Sequence, residues 1–370
     1  MDKDIRVLLT GGHAGTTALA VIEEIQSDDH TKDWKIFWIG AQKAVEGKKS
    51  LTLESQVLPK LGVTTYSIIM GRLQRKFTRY TIPSLIKIPF GFFHAFYLLK
   101  KIKPQVILSF GGFAAYPVVV VGSFLKIPVV IHDQTAAAGR ANMYSARFAS
   151  KIAISRVSSE QFFPKEKTVL TGNPVMKSIR DIHPRLQISD PPVLFVAGGS
   201  RGSQTVNTLI KNVLSELTRS FIVIHQTGSL DYRDFVELRN TLSEESQKHY
   251  ELHETIDPLE MSLFWRKADI FVGRSGANTV SEVIAAKRPA LFIPLPFAYN
   301  DEQTKNAEYA KIIGLATIIP EKNLDKETFL QALSLVHKEW SRIVKHVYKK
   351  QSPDMHAATN VVNLLKTFVS

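Results

Sequence analysis

Residues 271–296 hold the densest set of groups in this chain that could do chemistry. The lead-in at 268–272 reads as a short buried strand, Gly273 to Gly276 turns the chain, and 277–286 suits a helix. A helix start carries N–H groups with no intrahelical acceptor and a partial positive charge. Ser275, Gly276 and Thr279 therefore form a candidate anion cradle, and Gly276 allows close backbone approach. Glu282 follows about one turn later, where a carboxylate could hold a ribose diol. A diphosphate linked to a sugar fits this set. An ordinary strand–turn–helix unit without a ligand is the other reading of the same residues.

Similar turns recur along the chain. Ile5 to Leu9 predicts a strand ending in Gly11-Gly12-His13, with helical spacing from Ala18. The loop lacks the G-x-G-x-x-G order of a dinucleotide fingerprint. His13 sits where a side chain can serve as a general base or simply bond a neighbouring carbonyl. Val106 to Ser109 leads into Gly111-Gly112, and Val129 to Ile131 leads into His132-Asp133-Gln134-Thr135. Polar residues just past a strand's carboxyl end are where open α/β sheets bind ligands. In the second half, Gly198-Gly199-Ser200-Arg201-Gly202 also matches G-x-S-x-G, so Ser200 could be a hydrolase serine, with Asp257 and His337 downstream.

These turns need a scaffold, and the alternation of strands and helices predicts one: two doubly wound α/β domains. The length of 370 residues agrees, being long for a single core. An apolar content of 44% is that of a folded globular protein. The boundaries fall at residues 1–170, 171–350 and a terminal helix over 351–370, with Gly172-Asn173-Pro174 as turn chemistry at the first crossing. There is no cysteine, which excludes a disulfide scaffold and zinc-ribbon spacing. The opening residues are not a secretory signal.

Net charge is +13 and uneven. Residues 1–170 carry 23 Lys and Arg against 12 Asp and Glu, whereas 171–370 carry 24 against 22. An anionic partner is therefore expected in the first half. Within 71–103 there are eight basic residues and no acidic one, including Arg72, Arg75, Lys76 and Arg79 ahead of an aromatic run with Phe92 and Phe93. Lys87, His94 and two prolines argue against a membrane span. A helix lying on an anionic bilayer explains both features; a packed core helix with solvated lysines is the alternative. No nucleic-acid-binding module is recognisable, so nucleic acid is not an expected partner.

Taken together the motifs resemble the MurG family: TGGH at 10–13, FGGFAAYP at 110–117, HDQT at 132–135, TGNPV at 171–175, GGSRGS at 198–203, RSGANTVSE at 274–282 and NDEQTKNA at 300–307. These are peripheral enzymes of the cytoplasmic face of the plasma membrane. They add N-acetylglucosamine from UDP-GlcNAc to undecaprenyl-diphospho-muramoyl-peptide, lipid I. The resemblance implies a GT-B fold, two Rossmann-like domains facing a cleft. The first domain would take the lipid acceptor and the membrane, the second UDP-GlcNAc, and the last helix would return to the first. It implies Glu282 as ribose ligand, Ser275, Gly276 and Thr279 around the diphosphate, and Gln303 with Glu302 at the GlcNAc hydroxyls, with Ser200 and its glycine turn lining the same pocket.

On the acceptor side it implies the glycine loops Gly11-Gly12 and Gly111-Gly112, with Gln134 and Thr135. His13 would be the general base that takes the attacking hydroxyl's proton, with Asp133 as rival base or orienter. Inverting single displacement needs no enzyme nucleophile, and neither cofactor nor metal is implied. The D-x-D at Asp2-Lys3-Asp4 lies in a terminus and is not a promising metal site. The chain departs from the family pattern mainly on the acceptor side: Leu8-Leu9 replace leading glycines, Thr17 a proline, and HDQT the usual HEQN. Another GT-B enzyme with a different polyprenyl or glycolipid acceptor, and a non-catalytic nucleotide-sugar-binding relative, remain the nearest rival readings.

Overall fold

The computed structural model describes residues 4–12, 15–41, 52–69, 81–199 and 202–369. His13, Arg72, Arg75, Lys76, Arg79 and Ser200 lie outside these residues. The chain divides into two compact units, Met1–Lys177 with Pro353–Ser370, and Ser178–Ser352. The first is therefore built from two stretches of sequence and the second from one.

The N-terminal unit is organised on seven parallel strands: β1 (Arg6–Gly11), β2 (Lys35–Gly40), β3 (Thr64–Ser67), β4 (Val106–Ser109), β5 (Val129–Asp133), β6 (Lys151–Ile154) and β7 (Thr168–Leu170). Their order is β3-β2-β1-β4-β5-β6-β7. The central strands are apolar on both faces and fully buried at Val7, Leu8, Leu9, Ile107, Leu108, Val130 and Ile131, as a parallel sheet covered by helices requires. The third strand is short, the four residues of β3. Strand order reverses between β1 and β4, and the loops leaving these two strands are the paired glycine turns.

Helix Thr81–Ile102 lies against this sheet. Ala95, Leu98, Leu99 and Ile102 recur at helical spacing and are buried with the core under β4 and β5. Pro89 lies within the helix and removes one backbone donor. The returning C-terminal segment, a short turn over Pro353–His356 and helix Ala357–Lys366, packs on helix Gly15–Ser27. Thr359 donates to Glu24 at 2.6 Å, and Lys366 is paired with Asp28.

The C-terminal unit repeats the plan with six parallel strands: β8 (Val193–Ala197), β9 (Ile222–Gln226), β10 (Tyr250–His253), β11 (Ile270–Gly273), β12 (Ala290–Phe292) and β13 (Ala316–Ile318). Their order is β10-β9-β8-β11-β12-β13, so the reversal falls between β8 and β11. Leu194, Val196, Ile270 and Val272 face a core formed with helices Gln204–Leu217 and Lys326–Val347. Helix Gln204–Leu217 buries Val206, Leu209, Ile210, Val213, Leu214 and Leu217, a stripe at periods of three and four. Each such side chain contributes about 1.5–3 kcal/mol on burial, far more than helix propensity supplies.

Strand alternation turns Phe195 and Phe271 to the opposite face. There they meet Phe264 and Trp265, both from helix Met261–Lys267.

Candidate functional site

Both units present their candidate residues at the point of strand-order reversal, on the carboxyl side of the sheet. In the N-terminal unit the two glycine loops touch through their backbones. Gly12 N–H donates to Gly111 O at 2.9 Å. Gly111 and Gly112 have φ of 79° and 89°, and a Cβ on Gly112 would lie 3.0 Å from Gly12 N. No side chain fits between the loops without moving one of them.

Asp133 ends β5 beside them and is fully buried. Its Oδ1 accepts from Thr135 N at 3.2 Å and Thr135 Oγ1 at 3.4 Å; Oδ2 accepts from Gly139 N at 2.8 Å and Asn142 Nδ2 at 2.9 Å. Burial pushes its carboxyl above the usual range, opposed by the Gly139 and Asn142 bonds. Four donors occupy this carboxylate, so its evident work is to fold the 134–142 loop. His132, the residue before it, is also buried, and desolvation lowers its pKa to about 4, which keeps the ring neutral. Its Nε2 meets Gly172 O at 3.1 Å. Among the described residues Gln134 Nε2 is buried without a hydrogen-bond partner. An unpaired buried amide is costly, and a ligand oxygen is one way to satisfy it.

In the C-terminal unit, helix Ala277–Ala286 begins at Gly276, which caps it without any side-chain bond. The first intrahelical bond is Val280 N–H to Gly276 O at 3.0 Å. A Cβ placed on Gly276 would meet nothing within 4 Å, so the helix start opens onto free space. Thr279, in the first turn, is half-buried. Ser275 behaves differently: it is fully buried and its hydroxyl donates to Gln303 O at 2.8 Å. Asn306 Nδ2 donates to Ser275 O at 3.2 Å. Ser275 thus braces the loop against helix Glu302–Ile313. Gln303 Oε1 accepts from Leu295 N at 3.0 Å, which leaves its Nε2 to donate elsewhere. Glu302, half-buried, is the first residue of that helix. Asn300 and Asp301, just before it, both hold positive φ, 52° and 55°. Such strain persists only where surrounding structure enforces it.

Glu282 sits on the buried side of its helix. Oε2 accepts the indole N–H of Trp265 at 3.0 Å, its one hydrogen bond. Burial raises its carboxyl to about 7, and the Trp265 bond pulls the other way.

Two contributors were not legible in sequence. Arg274 is buried and spans the loops: Nε donates to Ser203 Oγ at 2.8 Å, and Nη1 donates to Ile293 O at 3.0 Å and Glu321 Oε2 at 2.7 Å. A lone arginine between glycine and serine gives no hint of partners 71 and 47 residues away. Trp265 is the other; an aromatic in a connecting helix reads as core.

Of the groups named for the hydrolase reading, Ser200 lies outside the described residues. His337 lies edge-on against Phe221 at 5.5 Å, and Phe221 precedes β9 at the amino side of the sheet.

Helix Thr81–Ile102 sorts its aromatics by face. Phe93 is 75% exposed, with Phe90, Phe96 and Tyr97 also exposed. Phe92 instead is partly buried, packing edge-on against Tyr116 at 6.2 Å and against the core beneath. Among the described residues no helix is long and apolar enough to cross a membrane. No group of three or more His, Asp or Glu side chains among them could share a metal ion. Asp4, the described end of the D-x-D, accepts from Lys35 at 2.6 Å.

Known proteins place this arrangement. The models for the glycosyltransferase family 28 N-terminal and C-terminal domains match residues 7–154 and 193–361. The UDP-N-acetylglucosamine–N-acetylmuramyl-(pentapeptide) pyrophosphoryl-undecaprenol N-acetylglucosamine transferase of Lactococcus lactis is 30% identical over 373 residues, covering 98% of this chain and 99% of its own. This chain belongs to the MurG family. The crystal structure of Acinetobacter baumannii MurG superposes with a TM-score of 0.67 at 23% identity, over 98% of this chain and 99% of that one. A Neisseria meningitidis UDP-GlcNAc 2-epimerase, solved bound to UDP-GlcNAc, gives 0.64 at 16% identity over 98% and 100%. At those identities the likeness is one of fold, the two-domain Rossmann-like GT-B fold expected of the family.

Proposed function

We propose that this chain transfers N-acetylglucosamine from UDP-GlcNAc to the MurNAc 4-hydroxyl of undecaprenyl-diphospho-MurNAc-peptide, converting lipid I to lipid II in peptidoglycan synthesis. The observation that carries the reading is end-to-end relationship to the Lactococcus lactis transferase, spanning both units. The enzyme is a UDP-GlcNAc-dependent N-acetylglucosaminyltransferase.

In this reading the C-terminal unit takes the donor. Glu282 holds the ribose diol through its unbonded oxygen, and the open helix start at Gly276 with Thr279 receives the diphosphate. Ser200 joins that pocket from the glycine loop after β8. Gln303 Nε2 and Glu302 meet the GlcNAc hydroxyls, and Ser275 holds the loop from behind. The N-terminal unit takes the acceptor diphosphate at Gly11-Gly12 and Gly111-Gly112, with Gln134 and Thr135 alongside. His13 accepts the proton of the attacking hydroxyl. The new bond forms between that oxygen and the anomeric carbon as the bond to UDP breaks, with inversion. Asp133 orients the acceptor loop, since its four donors leave it poorly placed to take a proton. The departing diphosphate is stabilised by the helix-start N–H groups rather than a metal ion.

The enzyme works at the cytoplasmic face of the membrane as a peripheral protein. Phe90, Phe93 and Tyr97 recur at spacings of three and four along helix Thr81–Ile102 and form an exposed aromatic face beside Lys100. Arg72, Arg75, Lys76 and Arg79 supply further positive charge for anionic headgroups.

The deciding experiment is transfer of labelled GlcNAc from UDP-GlcNAc to lipid I by the purified chain, with and without EDTA. Product is expected in both arms. Transfer to another polyprenyl or glycolipid acceptor only, or donor binding with no transfer, would overturn the assignment. Within it, His13→Ala should lower turnover far more than donor affinity; near-normal turnover would remove His13 as the base.

A further inference from the structure

Glu282 carries a carboxylate on a side chain with three rotatable bonds, in a site nearly closed to water. Something must choose its rotamer and decide which oxygen faces the ligand. Among the described residues the only group bonded to its side chain is the indole N–H of Trp265, at 3.0 Å on Oε2. That indole is itself fixed. Trp265 is 1% exposed, its ring edge-on to Phe195 at 5.4 Å and tilted on Phe271 at 5.2 Å. Its carbonyl accepts Arg288 Nε at 3.2 Å. Both phenylalanines stand on adjacent central strands, so the donor is anchored to the sheet.

We propose that Trp265 is a positioning residue for donor recognition: its N–H occupies Oε2 of Glu282 and so presents Oε1 to the ribose hydroxyls. The inference rests on the reading of Glu282 as the ribose ligand. Indole nitrogen donates and never accepts, so it bonds only an acceptor lone pair and cannot be satisfied by a carboxyl proton. It therefore favours the ionised carboxylate, the form able to accept from two sugar hydroxyls. Burial works against that form, and Trp265 is the one group opposing it. Phenylalanine at 265 would fill most of the same space with no donor.

The test compares binding of UDP and 2′-deoxy-UDP to the full chain, Glu282→Ala, Trp265→Phe and the double variant, by calorimetry, together with UDP-GlcNAc kinetics. The unaltered chain should prefer UDP, and Glu282→Ala should abolish that preference. If Glu282→Ala keeps the preference, the ribose assignment itself fails, whatever Trp265 does.

Given that assignment, Trp265→Phe should cut UDP affinity about tenfold while barely affecting 2′-deoxy-UDP. It should raise KM for UDP-GlcNAc much more than it lowers kcat, and add nothing in the Glu282→Ala background. Equal weakening of both nucleotides, an unchanged preference, or losses that multiply in the double variant would overturn the proposal. Should Trp265→Phe fail to fold, site-specific 3-benzothienylalanine at 265 replaces only the ring N–H with sulfur and gives the same readout.

Discussion

Arg156 and Asp354 lie 198 residues apart in sequence and form a buried two-pronged ion pair, Nη1 to Oδ1 at 2.6 Å and Nη2 to Oδ2 at 2.8 Å. Asp354 Oδ1 also accepts Asn173 N–H at 2.8 Å. One carboxylate thus ties the end of β6, the segment leading out of the N-terminal unit and the segment re-entering it. Nearby, Gly172 takes φ of 85°, and a Cβ there would lie 2.6 Å from Pro353 O.

Removing one partner should be far worse than removing both. Asp354→Ala takes the carboxylate away from a buried guanidinium and is expected to cost about 3–5 kcal/mol. Arg156→Met with Asp354→Leu should recover part of that, though not the Asn173 bond. Urea denaturation of the full-length variants measures both. A double variant as unstable as Asp354→Ala would contradict the account.

Glu282 should make the protein's behaviour depend on pH in two opposite senses. Its carboxyl is raised from 4.5 to about 7 in the folded state. The folded chain then holds a proton that the unfolded chain has released. Its contribution to stability is full below 4.5 and is lost as pH rises through about 7, up to roughly 3 kcal/mol. Donor recognition runs the other way, because the ribose hydroxyls need the ionised form. The ratio of UDP to 2′-deoxy-UDP affinity cancels the phosphate titration; it should rise with pH and level off above about 7. Glu282→Gln should flatten both curves, and melting temperatures with parallel titrations from pH 5 to 8.5 provide the check.

The two neighbouring phenylalanines of helix Thr81–Ile102 should separate membrane binding from folding. Phe93→Glu with Tyr97→Glu should reduce sedimentation with anionic phospholipid vesicles severalfold and leave the melting temperature within a few degrees. Phe92→Ala should do the reverse, costing about 2–4 kcal/mol for a large core side chain only partly buried. Equal effects on vesicle binding would mean the aromatic face is not the contact.

Gly112→Ala should impair the acceptor side alone. A Cβ at φ of 89° is strained and crowds Gly12 N, so the paired loops must part. Lipid I turnover is expected to fall at least tenfold while UDP affinity, housed in the other unit, stays within twofold. Measuring both on one preparation distinguishes this from general unfolding.

Much of the architecture was legible because the local signals agree. At 270–286 an apolar run, a glycine turn and a helical stretch follow one another, and β11 with helix Ala277–Ala286 stands there. The same logic reads β1, β4, β5 and β8. What escaped depends on contacts remote in sequence. Periodicity shows that helix Thr81–Ile102 has an inner face but leaves its phase open, so Phe92 and Phe93 look alike until Tyr116 is seen beside one of them. Ser275 reads as an anion-binding hydroxyl because its partner, Gln303 O, is a backbone carbonyl 28 residues on. Arg274 and Trp265 gave no local sign of acting at the site, since each works through groups on other elements.

The discontinuous make-up of the N-terminal unit has a consequence for its birth on the ribosome. All seven strands of its sheet emerge before any of the C-terminal unit, yet Asp354 and helix Ala357–Lys366 emerge only after that unit. Until they do, Arg156 lacks the Asp354 carboxylate and helix Gly15–Ser27 lacks the cover of helix Ala357–Lys366. The unit begun first is therefore completed only after the other. The nascent chain must carry it incomplete through synthesis of the entire intervening unit, the interval in which exposed apolar surface is most open to chaperones and to aggregation.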